Sequence, residues 1–203
     1  MKLTYVFFLL AFFFVSCNTI SDKKGTAEEA NLIREYGLPF PKIEVKDDIA
    51  YVSGTLGKLF YDNLEKVITK NPQIRTLVIL DVPGSVDDYW NLKACKLVFE
   101  NNLNTELLPH SIVESGGTDL FVSGKNLIVT DGAKIGVHAW AGDDITAKDL
   151  PKNHAEHQMF INFYRTIEID TSFYWFTLKA APADGMHFMT KEEINTYFKN
   201  KLK

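Results

Sequence analysis

The stretch IRTLVILDVPGSVDDYW, residues 74–90, contains the pattern that decides the fold. Residues 74–82 form an almost continuous apolar run rich in β-branched side chains, which is typical of a strand buried on both faces of a parallel sheet. A turn with the sequence VPGS follows at 82–85, and after it the apolar residues recur at helical spacing. The stretch therefore predicts a strand, a tight turn and a helix, with Ser85 as the helix N-cap.

A second stretch, ESGGTDLFVSGKNLIVTDGAKIGVHAW at residues 114–140, repeats this order. Two short strand candidates, TELLP at 105–109 and HSIV at 110–113, precede Ser115, a helix follows it, and two further strands are joined by a turn. The carboxyl ends of parallel strands meet at one edge of a sheet, where binding sites form, so the two turns are expected to lie together. Backbone N–H groups at a helix start are unpaired and can hold an oxyanion, and glycines at 84, 116 and 117 allow a close approach.

The alternation of strands and helices predicts an α/β domain with a largely parallel sheet and flanking helices. From Leu150 onward the pattern is mostly helical and rich in aromatic residues, and Thr190 and Glu193 have the spacing of a capping box. We expect one folded domain over residues 42–203. The aromatic segment 160–176 has apolar residues at helical spacing, which indicates core or an oligomer interface rather than lipid contact.

The first residues, MKLTYVFFLLAFFFVSC, predict a bacterial lipoprotein signal peptide over residues 1–17. One basic residue, a short apolar run and a small residue before cysteine are in the order that such a signal requires. Cys17 would be lipidated, residues 18–41 would form a polar tether with a short helical piece, and the domain would lie outside the cytoplasm at a membrane. The alternative is an uncleaved N-terminal anchor. Cys95, the second cysteine, is expected in the core.

Composition and charge limit the possible partners and cofactors. The net charge of −4 and the pI near 5.7 argue against a nucleic-acid partner, which usually leaves a basic surface. His154 and His157 stand one helical turn apart, but without a third ligand they predict a solvated helix rather than a metal site. No metal and no organic cofactor is expected.

Three motifs in order, VPGS, SGGTDLFVSGK and GAKIGVHAW, resemble the Clp-protease-like serine peptidases of the crotonase superfold. The resemblance covers about residues 74–197, and it implies that Ser115 is the nucleophile and His138 the general base. It also implies that the backbone N–H groups of Ser85 and Gly116 form the oxyanion hole. In the family, the acid that orients the histidine stands just before a segment that corresponds to HFMTKEE, residues 187–193, in this sequence.

That position corresponds to Asp184, with Asp170 as a second choice for the acid. Asp119 departs from the pattern, because the family usually has an apolar residue one turn after the nucleophile. The two glycines after Ser115 also depart from it, as does a serine at position 85 in place of the second glycine of the turn.

The resemblance implies a serine hydrolase, which we expect to be a peptidase. Its substrates would be peptides or proteins, and the reaction would need no cofactor. A homo-oligomer is a further expectation from the family. The departures leave open a second class of function, a catalytically silent binding or scaffold lipoprotein of the same fold. A third, less favoured option is hydratase or thioester chemistry.

Overall fold

A computed structural model describes residues 22–142 and 145–203, so Cys17 and the predicted signal peptide lie outside the described residues. The described chain forms a seven-stranded sheet with helices around it. The strands are β1 (Lys42–Lys46), β2 (Ile49–Ser53), β3 (Thr76–Val82), β4 (Asn104–Glu114), β5 (Leu127–Val129), β6 (Lys134–Val137) and β7 (His187–Phe188). The helices are α1 (Asp22–Glu35), α2 (Lys58–Lys70), α3 (Asp88–Glu100), α4 (Gly116–Val122), α5 (Ala155–Thr166), α6 (Ser172–Ala180) and α7 (Lys191–Phe198), with a 3-10 turn at Ala147–Asp149.

The sheet is parallel at its centre and antiparallel at its two edges. Its order is β1-β2-β3-β4-β6-β7, and β5 pairs with β4 as well. Strands β2, β3, β4 and β6 run parallel to their neighbours, while β1 and β7 pair antiparallel. The predicted α/β fold class is therefore confirmed, with a largely parallel sheet, flanking helices and a helical C-terminal part.

Strand β3 is the centre of the core, as its apolar run predicts. Leu77, Ile79 and Val82 are fully buried, and so is Cys95 on α3. The helix after the VPGS turn begins later than expected, because Asp87 is its N-cap and accepts a hydrogen bond from the N–H of Trp90. The prediction that Ser85 caps this helix is therefore wrong.

The two strand candidates before Ser115 form one long strand, β4, with a bulge in the middle. Ile79 pairs with Leu107 and Asp81 pairs with Ile112, so β4 contains extra residues between two correctly paired ends. Ser111 closes the bulge, since its Oγ accepts from the N–H of Leu108 and donates to the carbonyl of Ile79. The bulge lets β5 pair with the first half of β4 and β6 with the second, both parallel.

The aromatic C-terminal part packs inside the chain. His157 is buried with 1% exposure, and its Nδ1 lies 2.6 Å from the hydroxyl of Tyr174. The expected solvated helix is thus wrong for this residue, because α5 packs its face against α6. Phe160 and Phe173 are also buried. The capping box of α7 forms as predicted.

Helix α1 lies in the segment predicted to be a tether, and it packs on the domain. Ile33 is fully buried, and Glu29 is 8% exposed. A carboxylate oxygen of Glu29 accepts from the N–H of Leu59 at 3.0 Å, in the first turn of α2. Gly57, the N-cap of α2, offers no side-chain cap. Glu29 therefore supplies from another helix the hydrogen-bond acceptor that the start of α2 requires.

No helix among the described residues is both long and apolar enough to cross a membrane.

Replacing Glu29 by alanine should lower the free energy of unfolding by about 1 kcal/mol, the usual effect of losing an N-cap acceptor. Burial raises the pKa of Glu29 to about 7, although the hydrogen bond from Leu59 opposes this. A raised pKa means that the folded state favours the protonated form, so this carboxyl's contribution to stability is lost as pH rises through about 7. Urea unfolding between pH 5 and pH 8 should show wild type losing stability relative to Glu29→Gln.

The neighbouring Glu28 is exposed and provides the control, since Glu28→Gln should leave stability and its pH dependence unchanged. Equal behaviour of the Glu29→Gln and Glu28→Gln proteins would contradict the role given to Glu29.

Candidate active site

Ser115 occupies the turn between β4 and α4 in a strained backbone conformation. Its φ is 53° and its ψ is −122°, a region that residues with a Cβ atom rarely adopt. Such strain is found at functional sites, where the surrounding structure enforces it. The Oγ of Ser115 makes no N-capping hydrogen bond to α4, so the simple explanation of this serine as a helix cap does not hold.

The two glycines after Ser115 are required by close packing. A Cβ on Gly117 would lie 2.6 Å from the carbonyl oxygen of Val82, and a Cβ on Gly116 would lie 2.8 Å from the Oγ of Ser85. The first turn of α4 is thus pressed against the end of β3 and the turn that follows it. This contact brings the two turns together, as the sequence predicts.

One cavity of about 260 Å³ is lined by all the predicted catalytic and oxyanion-hole residues: Ser85, Ser115, Gly116, His138 and Asp184. Asp170, the second choice for the acid, does not line this cavity. It is exposed and accepts from the N–H of Ser172 at the start of α6.

His138 is held in the tautomer that a general base needs. Its Nδ1 lies 3.1 Å from the carbonyl oxygen of Ala183. A carbonyl can only accept a hydrogen bond, so Nδ1 carries the proton and Nε2 is the free basic nitrogen. Burial lowers the pKa of His138 below its ordinary value of 6.5, while the bond to Ala183 acts weakly in the other direction. The imidazole is therefore neutral at pH 7.

Asp184 lines the cavity but does not occupy the position of an orienting acid. Its side chain is exposed and makes no hydrogen bond to His138 within the described residues. The preceding residue, Ala183, presents its carbonyl to Nδ1 instead. The loop after α6 thus orients His138 through the main chain, one residue before the predicted carboxylate.

Two backbone N–H groups are available beside Ser115. Gly116 is the first residue of α4, so its N–H has no acceptor within the helix. In the described part of the chain the N–H of Ser85 donates to no carbonyl, because the neighbouring bonds are made by Leu56 and Val86. The Oγ of Ser85 donates its hydrogen bond to Asp88 at 2.7 Å. A serine in place of glycine at this turn therefore leaves the main-chain donor free.

Sequence reasoning missed three features of the site. The carbonyl of Ala183 has no signature in the sequence, because any residue offers one. Asn91 lies fully buried under the site and its amide reaches the carbonyl of Gly116 at 3.4 Å. Tyr164 donates a 2.5 Å hydrogen bond to Asp119, and both line the cavity. The unusual aspartate one turn after Ser115 was the available signal for this pair.

No family model and no curated protein matches this sequence. Among solved structures, the chain is similar to a variant of the 1510-N membrane-bound stomatin-specific protease in complex with a substrate peptide. The two are 17% identical over 76% of this chain and 74% of that chain, with a TM-score of 0.49. An enoyl-CoA hydratase from Bacillus anthracis is 12% identical over 47% of this chain and 49% of that chain, with a TM-score of 0.38. The chain thus spans about half the length of that hydratase, and these likenesses concern the fold alone.

Replacing Ser115 by glycine should yield a protein at least as stable as Ser115→Ala. Glycine in place of alanine ordinarily costs roughly 0.5–1 kcal/mol, because the unfolded chain gains freedom. At Ser115 the positive φ reverses this, since only glycine relieves strain of roughly 1–3 kcal/mol. Urea unfolding of both variants measures the difference.

Ala27, exposed on α1, is the matched control, where Ala27→Gly should destabilise by the ordinary amount. If Ser115→Gly falls below Ser115→Ala by as much as this control, the backbone at Ser115 is not strained.

Proposed function

We propose that this protein is a serine hydrolase of the peptidase class, with Ser115 as nucleophile and His138 as general base. One observation carries the proposal. Ser115 lies in a strained strand-to-helix turn, and its side chain makes no capping hydrogen bond to the helix. It shares a cavity with a neutral histidine, His138, whose Nδ1 proton is held by a main-chain carbonyl. That arrangement supports nucleophilic catalysis, because it leaves a hydroxyl and a free Nε2 as the reacting pair.

In the proposed reaction the Oγ of Ser115 attacks the carbonyl carbon of a peptide bond while Nε2 of His138 takes the hydroxyl proton. The negative charge that develops on the carbonyl oxygen is stabilised by the N–H groups of Ser85 and Gly116. Collapse of the tetrahedral intermediate breaks the C–N bond, and His138 returns the proton to the leaving amine. Water then hydrolyses the acyl-enzyme by the same two proton transfers.

The side chains of Ser115 and His138 are not hydrogen-bonded to each other within the described residues. The reaction requires that bond to form when substrate occupies the cavity, as it often does in serine hydrolases without ligand. The same observation favours a second candidate, a binding or scaffold protein that keeps the cavity without the chemistry. Thioester chemistry of the hydratase kind is a third candidate function, and the labelling experiment below distinguishes it from the other two.

We also propose that the domain works outside the cytoplasm, held at a membrane by lipid on Cys17. The support is the order of charged, apolar and small residues before that cysteine. Peptides or proteins at the membrane are then the substrates.

Fluorophosphonate labelling of the full chain tests the serine chemistry. Wild type should be labelled at one site, and Ser115→Ala should not be labelled. His138→Gln should label at least about a hundredfold more slowly, because general base catalysis typically contributes that much. Labelling of wild type should decrease as pH falls through the His138 pKa, with a midpoint below 6.5 because burial favours the neutral ring.

Asp184→Asn is the matched control, since Asp184 lines the same cavity but does not contact His138. Its labelling rate should change by less than about threefold, as for an exposed charge. Equal labelling of wild type and Ser115→Ala, or none of either, would overturn the hydrolase proposal. Thioester binding with no labelling would identify the hydratase alternative.

Metabolic labelling with an alkyne fatty acid tests the anchor. Wild type should incorporate the lipid, and Cys17→Ser should not. Cys95 is the only other cysteine of the chain and is buried, so Cys95→Ser should label like wild type. Incorporation that survives in Cys17→Ser would contradict the lipoprotein proposal.

A further inference from the structure

Asp119 is a buried carboxylate inside the proposed active site, without a role in the proposed reaction. It is 8% exposed and lies one helical turn after Ser115 on α4, facing the same cavity. One carboxylate oxygen accepts the hydroxyl proton of Tyr164 from α5. The other makes no hydrogen bond within the described residues and is available to a ligand. Burying a carboxylate is unfavourable unless a partner compensates it.

The described residues that line the cavity supply no cationic partner. Asp88 and Asp184 line it together with Asp119, and none of the lining residues is a lysine or an arginine. His138 is neutral, as derived above. Burial raises the pKa of Asp119 to about 7 and that of Asp88 to about 6, so the described residues around them do not stabilise their charged forms. A cation bound beside Asp119 would favour its charged form and pair with it.

Four of the other lining residues are aromatic: Trp140, Phe160, Tyr164 and Tyr174. Trp140 stacks on Phe160 with a ring separation of 6.1 Å, and its indole N–H donates to the hydroxyl of Tyr174 at 2.9 Å. Such walls suit the methylene stem of a long basic side chain, and the ring faces attract its charged head. An acidic end and aromatic walls in one cavity thus match the two parts of a lysine or arginine side chain.

The distance along α4 fits the same group. Ser115 and Asp119 are four residues apart, so Asp119 lies about 6 Å further along the helix axis. A long side chain on the residue whose carbonyl is attacked would cover this distance, and a short one would not.

We propose that this cavity is a specificity pocket for a substrate with a lysine or arginine on the acyl side of the scissile bond, and that Asp119 binds its charged head. The inference rests on the proposed function for the position of the cleaved bond. The cation-binding property of the cavity itself does not depend on catalysis, and the two can be tested separately.

The first test compares two covalent probes, the diphenyl phosphonate analogues of Nα-acetyl-lysine and Nα-acetyl-norleucine, which differ by the terminal ammonium group. The lysine probe should label wild type at least about tenfold faster, the effect of one buried charge pair. Asp119→Asn keeps the shape and an acceptor for Tyr164, and the ratio should fall below about threefold. Glu100→Gln removes one charge from the exposed face of α3 and should keep the wild-type ratio. Equal rates for the two probes on wild type would overturn the inference.

The second test needs no catalysis. In isothermal titration calorimetry the full-chain Ser115→Ala protein should bind Nα-acetyl-lysine methylamide and not Nα-acetyl-norleucine methylamide. Equal binding of the two amides, or of neither, counts against the pocket. If the lysine amide binds while fluorophosphonate labels nothing, the hydrolase proposal fails and the cation pocket stands. If fluorophosphonate labels Ser115 but lysine has no advantage in either test, the pocket fails and the hydrolase stands.

Discussion

The whole site depends on the approach of the first turn of α4 to the end of β3. Gly117 lies so close to the carbonyl of Val82 that no side chain fits between them. This contact fixes where α4 begins, and the chain can leave β4 in that direction only if Ser115 adopts a positive φ. The strain at the serine and the position of Gly116 beside the VPGS turn are therefore two results of one packing constraint. The Gly-Gly pair is required for this geometry.

The electrostatics of the cavity are divided between two sides. At the histidine the orienting group is an uncharged carbonyl, which fixes the tautomer of His138 and gives the protonated ring less support than a carboxylate would. On the other side, the carboxyl groups of Asp119 and Asp88 line the cavity beside the first turns of α4 and α3. Among the described residues, the acidic groups of the cavity therefore lie away from the Nδ1 of His138 and next to the space that a ligand side chain would occupy.

The sequence predicted the features that are local in the chain or are set by sheet direction. The apolar run of β3 and the two turns at one edge of the sheet follow from strand order and apolar pattern alone, whereas the pairing of Ser115 with His138 came from the family resemblance. The features it missed are contacts between distant segments. Glu29 accepts a hydrogen bond from Leu59 at the start of α2, thirty residues further along the chain. His138 is hydrogen-bonded to the carbonyl of Ala183, forty-five residues away, and a backbone carbonyl has no signature in the sequence. The sequence predicted two short strands where the structure has the one long strand β4, because the bulge interrupts the apolar alternation.

The docking of α1 sets how far the domain could stand from a bilayer. Only four residues, or five Cα-to-Cα steps, separate Cys17 from the start of α1 at Asp22. Even fully extended, a segment of that length reaches roughly 17 Å. With lipid on Cys17, the domain would work almost in contact with the lipid headgroups. The cavity would then reach mainly those substrates that are themselves held close to the membrane surface.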